Sequence, residues 1–464
     1  MKWSNIKELL MHILFFLTAC VSIFAVVLIC VFLFANGIPA IGKIGVFNFL
    51  LGTKWKPGND IYGILPMILG SLYVTAGAII IGVPIGLLTA VFLAKFCPKG
   101  LYKILKPATE LMAGVPSVVY GFFGLVVLVP LVQNIFGVAG NTMLTASVLL
   151  GIMILPTIIG VSESAIRAVP DSYYEGSLAL GASHERSVFF ATLERTCKPV
   201  AAETINKLTF KDKMRAYKRS PLSLILLLLV CGAALITMLT LLYLIFYILV
   251  KGIPYITPDL FSFTYTSDNV SLMPALISTI VMTIIALVIA LPLGIGAAIY
   301  AVEYAKRGNK LVQLVRITTE TLSGIPSIVY GLFGYLCFVT ALHWGYSLLA
   351  GAFTVAIMIL PLIMRTTEEA LISVPDSFRE GSFGLGAGRL RTVFHIVLPS
   401  AVPGQAGGGL FDSVRTLSVH MYVLSSEGLH IDKTYATAVV LLVIVIGINA
   451  LSSFVAKKIT KKQG

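Results

Sequence analysis

The chain has 464 residues, of which 57% are apolar and only 12% carry a charge, and its mean hydropathy is +0.94. Soluble globules carry about 25% charged residues, so this composition excludes one and points to a bilayer. The net charge of +13 does not mark a nucleic-acid binder, because the Lys and Arg residues stand in loops between apolar runs, with no basic face interleaved with stacking aromatics. Apolar stretches long enough for a ~30 Å hydrocarbon core predict an all-α polytopic fold of about nine spans: Leu10–Ala35, Ile64–Ala94, Leu111–Val132, Thr142–Gly160, Leu222–Val250, Leu272–Tyr300, Leu322–Leu342, Leu348–Met364 and Tyr435–Ala456.

Positive charge orients the spans. Lys2 and Lys7 precede the first, and Lys95, Lys99, Lys103 and Lys106 follow the second, whereas the loop near Gly137 to Asn141 has no basic residue. Loops therefore alternate, with the N-terminus cytoplasmic. Lys43, Lys54 and Lys56 break the pattern, since they fall in the first external loop. The Leu17-Thr18-Ala19-Cys20 stretch has the form of a lipoprotein cleavage box, but the apolar run continues through Val21–Ala35, so the first span reads as uncleaved.

Enzyme signatures are missing. Gly37 to Ile44 has phosphate-loop spacing but ends in Ile where Ser or Thr is needed, and no strand precedes it. The six histidines form no HExxH pair, no GxSxG elbow occurs, and the six cysteines (20, 30, 97, 197, 231, 337) have no metal-binding spacing. No catalytic, cofactor-binding or metal residue is expected.

The chain states its pattern twice. TELMAGVPSVVYG at 109–121 returns as TETLSGIPSIVYG at 319–331, and VPDSYYEGSLALGAS at 169–183 returns as VPDSFREGSFGLGAG at 374–388. The register drifts little: Pro66 and Pro274 are 208 apart, Gly114 and Gly324 are 210 apart, Glu175 and Glu380 are 205 apart. A period near 200 residues is that of duplicated domains, which commonly face each other across a shared pathway.

The segments after spans four and eight carry the strongest functional signal. Ser172-Tyr173-Tyr174-Glu175 and Ser377-Phe378-Arg379-Glu380 read as capping boxes, with the hydroxyl on the N3 amide and the Glu reaching back. Gly181 and Gly386, six residues beyond each Glu, suit a left-handed turn. Two helix–turn–helix elbows are therefore predicted on the cytoplasmic side. An ordinary, well-capped interhelical loop is the competing reading, and the second copy weighs against it.

Glu175-Gly176-Ser177 with Gly181, and Glu380-Gly381-Ser382 with Gly386 and Ile396-Val397-Leu398-Pro399, resemble the EAA loop of binding-protein-dependent ABC importer permeases. The VPDS, TTEEAL and GIPSIVYGLFG stretches more narrowly resemble phosphate-import permeases, the PstC type over residues 1–193 and the PstA type over 221–464, joined by a basic cytoplasmic linker at 194–220. The resemblance implies a duplicated type I importer permease of the MetI-like fold in the bacterial plasma membrane. It also implies PstB-like ATPase subunits inside, a PstS-like phosphate-binding protein outside and alternating access between them. Ser172, Glu175, Gly181, Ser377, Glu380 and Gly386 would be the ATPase-coupling residues. Glu110 and Glu320, at the mouths of spans three and seven, and Ser117 and Ser327 beside Pro116 and Pro326, are candidates for the pathway lining; close helix packing through the small residues is the alternative. Gly82, Gly86, Gly294 and Gly296 read as packing positions.

Both halves look internally shortened. The first has four predicted spans and the second five, and the stretch Ser400–Phe411, rich in Gly with one Pro, replaces the helix that in the family carries a G-R-x-x-G-E-T type segment. With nine spans, Lys457, Lys458, Lys461 and Lys462 would lie outside, against the positive-inside rule. Two readings stay open: a phosphate-importing permease, and a transport-inactive fusion that still holds the ATPase.

Overall fold

The computed structural model describes residues 3–180, 187–188, 221–266, 270–305, 309–398, 421 and 431–461. Among them, seven helices are long and apolar enough to cross a membrane: Ile6–Ile44, Leu65–Phe96, Ser117–Phe136, Met143–Ala168, Leu224–Tyr255, Met273–Tyr304 and Leu348–Ser373. The two other predicted spans are helical as well, Ser327–Ala341 as a shorter apolar helix and Ile431–Lys461 as a long one. The stretch read as a missing helix, 400–411, and the linker at 194–220 lie outside the described residues.

The helices form two compact units. One gathers the described residues of Met1–Gly63, Pro258–Leu417 and Gly447–Gly464, the other those of Ile64–Thr257 and Ser418–Ile446. Both cut across chain order, since each repeat's first span belongs with the core of the other repeat.

In the second of these units, α3 (Leu65–Val91, extended by a π-turn at Phe92–Phe96) lies along α7 (Met143–Ala168), and α9 (Pro221–Gly252) joins α3. Pro66 opens α3, where its missing N–H costs nothing. Thr142 caps α7 by accepting from the Thr145 amide at 3.2 Å. The Thr89 and Thr237 hydroxyls meet at 3.0 Å, so α9 is held to α3 by a buried polar contact. Along α3, a Cβ at Gly86 would stand 2.7 Å from Ile158 Cγ2, so the two backbones come as close as they do only because that side chain is absent.

The first unit repeats this construction. Helix α10 (Met273–Ile299, extended by a π-turn at Tyr300–Tyr304) opens on Pro274 and lies along α13 (Leu348–Ser373), which Ser347 caps through the Ala350 amide at 3.2 Å. Gly294 takes the place of Gly86: a Cβ there would stand 2.7 Å from Ile363 Cγ2. Helix α1 (Trp3–Ile44) completes the unit, and it packs on α10 where Gly296 leaves room for Thr18, 2.7 Å from the position a Cβ would occupy. The core here joins Phe15 and Ala19 of α1 to Ala297, Tyr300, Met364 and Leu371.

Spans three and seven are each broken near their start. Helix α4 (Lys99–Gly114) ends before Val115 and Pro116, and α5 (Ser117–Phe123) begins after them; α11 (Lys310–Ser323) and α12 (Ser327–Gly334) flank Pro326 in the same way. Proline lacks an N–H and pushes the preceding residue out of the helical region, and Val115 is extended at φ −71°, ψ 122°. The apolar runs read from Leu111 and Leu322 thus resume as apolar helices only at Ser117 and Ser327, the first of them long enough to cross a membrane.

Substituting Val for Gly86 or Gly294 forces two wedged backbones apart, and each change is expected to cost about 1–3 kcal/mol, read as a lowered unfolding midpoint of the detergent-solubilised protein. At Gly100, where a Cβ would meet nothing within 4 Å, the same substitution should stay within about 0.5 kcal/mol. Equal effects at Gly100 and Gly294 would show that the close approach does not limit stability.

Candidate functional site

Both elbows begin two residues earlier than a capping box requires. Helix α8 (Asp171–Ala179) follows Pro170, and α14 (Asp376–Gly384) has Pro375 at its cap with no side-chain bond to the helix start. A proline cap has no N–H for a glutamate to reach back to, so Glu380 sits on the second turn, exposed, with Ser377 inside the first. The Ser172 hydroxyl is buried without a hydrogen-bond partner. The capping-box reading is therefore corrected at both copies. Glu175 is half-buried on α8.

The turn at the end of the second elbow is as expected. Gly386 adopts φ +79°, its N–H donates to the Phe383 carbonyl at 2.9 Å, and the Ala387 N–H donates to the Ser382 carbonyl at 3.1 Å. This pair of bonds is a Schellman motif, which a side chain at the left-handed position would strain. The short helix α15 (Arg389–Thr392) follows, stapled back to α14 by the buried Ser382 and Thr392 hydroxyls at 2.8 Å. Glu8 of α1 accepts from the Arg389 amide at 2.7 Å, so the start of α1 and this elbow lie on one side of the unit. Gly181 lies outside the described residues.

One side chain bolts the second elbow to the spans. Arg379 donates to the Leu371 carbonyl at 2.7 Å and the Val374 carbonyl at 2.6 Å, at the end of α13, to Asp376 at 3.2 Å, and to Glu303, at the end of α10, at 2.8 and 2.9 Å. Glu303 is only 5% exposed and Arg379 13%. A guanidinium is the one side chain with enough fixed donors to serve all four groups. In the first repeat, Lys95 stands where Glu303 does and lies 6.0 Å from the Tyr174 ring, the residue in Arg379's place.

A second connection recurs in both repeats. Lys106 of α4 donates to Glu163 of α7 at 2.9 Å, and Arg316 of α11 pairs with Glu368 of α13 at the equivalent place. Glu163 is nearly inaccessible and accepts from Tyr102 at 2.7 Å and Arg167 at 2.8 Å as well, so its charge is fully compensated. Burial and then its bond to Glu163 raise the Tyr102 phenol above its ordinary range, which keeps it a donor. Sequence reading passed over these groups. The signal was present: Glu163 and Glu368 each lie 12 residues before the elbow glutamate, and Lys106 and Arg316 each lie four before Glu110 and Glu320.

Of the pathway candidates, Glu110 touches the edge of this network through Lys106. Glu110 and Glu320 are exposed on α4 and α11, ahead of the proline breaks, and Glu110 lies 3.8 Å from Lys106. Ser117 and Ser327 open α5 and α12 and are exposed. Tyr120 of α5 donates to the Met112 carbonyl at 2.9 Å, closing the first break. Among the described residues no cluster of His, Cys, Asp or Glu could hold a metal ion.

A family model described as "Binding-protein-dependent transport system inner membrane component" matches the chain twice, over residues 82–210 and 290–463, more than half of its length. Over 207 residues the chain is 36% identical to a Bacillus subtilis (strain 168) protein named "Probable ABC transporter permease protein YqgH", covering 43% of this chain and 65% of that one. It is 34% identical over 209 residues to "Probable phosphate transport system permease protein PstC" of Methanocaldococcus jannaschii (39% and 66%). It is 44% identical over 101 residues to "Phosphate transport system permease protein PstA 2" of Mycobacterium bovis (22% and 34%). The chain thus spans between about a third and two thirds of the length of these curated relatives.

Replacing Arg379 by Ala strands Glu303 at 5% exposure and is expected to cost about 3–5 kcal/mol. Replacing Arg316, half of whose side chain is exposed, should cost at most about 1 kcal/mol. Chemical denaturation of the two variants in detergent measures the difference, and a larger loss at Arg316 would contradict the assignment of Arg379 as the main bolt.

Proposed function

The chain belongs to the binding-protein-dependent transport system inner membrane components, and from that premise we propose that it moves inorganic phosphate inward by alternating access, driven by separate ATPase subunits. It is an ABC importer permease of the MetI type, in which a PstC-like and a PstA-like half are fused in one membrane-embedded chain. The choice of phosphate is supported by the names of the relatives and by the VPDS and GIPSIVYGLFG stretches, and no described residue discriminates phosphate from another oxyanion by itself.

One observation carries the mechanism: a short helix, α8 or α14, hangs from the end of each long helix, α7 or α13, and the second is bolted by Arg379 to two spans at once. A lever has to be stiff where it joins what it moves and accessible where it is pushed. In α14, Arg379 supplies the stiff joint and the exposed Glu380 the accessible face. We assign Glu175, Glu380 and the Gly386 turn to ATPase coupling, with Ser172, Ser377 and Gly181 in the same segments. Movement of the two elbows would then rock the helices that carry Ser117 and Ser327, with Glu110 and Glu320 at the entrance to the pathway.

The partners on this reading are PstB-like ATPase subunits on the elbow side and a PstS-like binding protein on the opposite side. On this reading the elbow side is cytoplasmic, as the lysines at 95, 99, 103 and 106 favour, and the bond between Glu8 and the Arg389 amide supports an N-terminus on the same side.

The test is reconstitution of the full chain with a PstB-type ATPase and a PstS-type phosphate-binding protein in proteoliposomes. ATP-dependent uptake of labelled phosphate is expected, and the Glu175→Ala, Glu380→Ala double variant should lose at least about tenfold in uptake together with ATPase attachment. Attachment without any uptake by the parent chain would favour an ATPase-holding protein that passes no substrate. Undiminished attachment of the double variant would remove the elbows from the mechanism.

A further inference from the structure

The first external loop holds a structure that the transport reading leaves unused. Helix α1 runs without a charged residue from Ile13 to Gly42, a stretch of 30 residues. At 1.5 Å per residue that is about 45 Å, more than a hydrocarbon core of about 30 Å, so the helix is long enough to cross with tilt, and Lys43 is the first charged residue beyond the run. Immediately beyond, Gly45 at φ +88° turns the chain into α2 (Val46–Leu51), a single short helix with no buried residue. A hairpin follows, pairing Trp55 with Tyr62 and Lys56 with Ile61. Its base is closed by Gly52 and Gly63, whose backbones approach too closely for either to carry a side chain.

These pieces enclose an open cavity of about 1120 Å³. Its walls are largely apolar, with Phe47 and Leu51 from α2 and Ile61 and the edge-to-face pair of Trp55 and Tyr62 from the hairpin, and Lys43 and Lys54 line it as well. Phe47 is 79% exposed and Leu51 60%. Among the described residues Lys43, Lys54 and Lys56 make no ion pair, and Asp60 is the one acidic side chain lining the cavity. Three cations on this side oppose the charge bias that orients the chain, so a compensating anion is what the placement calls for.

We propose that this cup binds an anionic phospholipid of the outer leaflet, acyl chain against α2 and the hairpin, headgroup phosphate against Lys43 and Lys54, with Lys56 adding to the attraction. A bare oxyanion would gain nothing from the apolar walls and would lose its hydration against them. A second copy of a chain with net charge +13 brings no complementary charge. The indole and phenol of Trp55 and Tyr62 suit the interface, where one end of each ring is apolar and the other wet. The lipid would hold the outer end of α1 at a set depth, as Glu8 holds its inner end to the elbow.

The experiment uses the full chain in vesicles with Trp55 as its one tryptophan, made by Trp3→Phe and Trp344→Phe. Brominated phosphatidylglycerol or brominated phosphatidylcholine is added at the same minor fraction to a phosphatidylcholine matrix, and quenching of Trp55 is read. The expected result is quenching by both lipids, at least about threefold stronger with phosphatidylglycerol, falling to parity in the Lys43→Gln, Lys54→Gln, Lys56→Gln variant. A cation near an anionic surface contributes enough for each lysine to count severalfold. Parity already in the unsubstituted chain would overturn the headgroup selectivity. No quenching by either lipid would overturn the lipid assignment and leave the cup as a water-facing surface for a protein. A sister protein keeping only Trp344, quenched equally with and without the lysine changes, controls for folding.

Discussion

The close approach of two long helices in each unit is the constraint on which the rest depends. Ile158 lies over Gly86 and Ile363 over Gly294, and in both places a single added methyl would stand 2.7 Å from the isoleucine. Between apolar helices in lipid there is little hydrophobic gain from association, so contact area and backbone proximity have to supply it. Once α3 sits on α7 and α10 on α13, the ends of these helices are held in register, and everything polar on the elbow side is arranged on those ends.

That arrangement puts charge to work at the edge of the membrane. Glu163 and Glu368 pull the amphipathic helices α4 and α11 against the span ends, and Arg379 gathers the Leu371 and Val374 carbonyls at the end of α13 together with Glu303 of α10. A helix end leaves its last carbonyls short of donors, and the guanidinium donates to two of them while carrying α14. The elbow is thereby joined to two spans through one residue. The proline breaks at Pro116 and Pro326 separate the amphipathic helices from the apolar ones, so Glu110 and Glu320 stay outside the apolar segments and Ser117 and Ser327 begin them.

Some of this was legible in the residues and some was not, for identifiable reasons. Gly386 could be placed in a left-handed turn because few other residues tolerate φ +79°. The cap of α14 falls at Pro375, two positions before the Ser377 that Ser-x-x-Glu points to, because a proline there has no N–H for a capping box. The roles of Glu163, Glu303 and Arg379 are not legible locally, since a charged residue says nothing about its partner until the fold brings together residues 57 or 76 apart.

Determined by the sequence alone were the solvent, the duplication and the family, because apolar run length, repeated wording and the VPDS and GIPSIVYG stretches are local properties that need no partner. Only the tertiary structure decided which helices keep company: α1 joins the second repeat's core and α9 the first's, through Thr18 against Gly296 and Thr89 against Thr237. The apolar faces of α1 and α9 would suit any lipid-facing groove, and what selects one is a missing side chain or a matching hydroxyl on a helix far away in the chain.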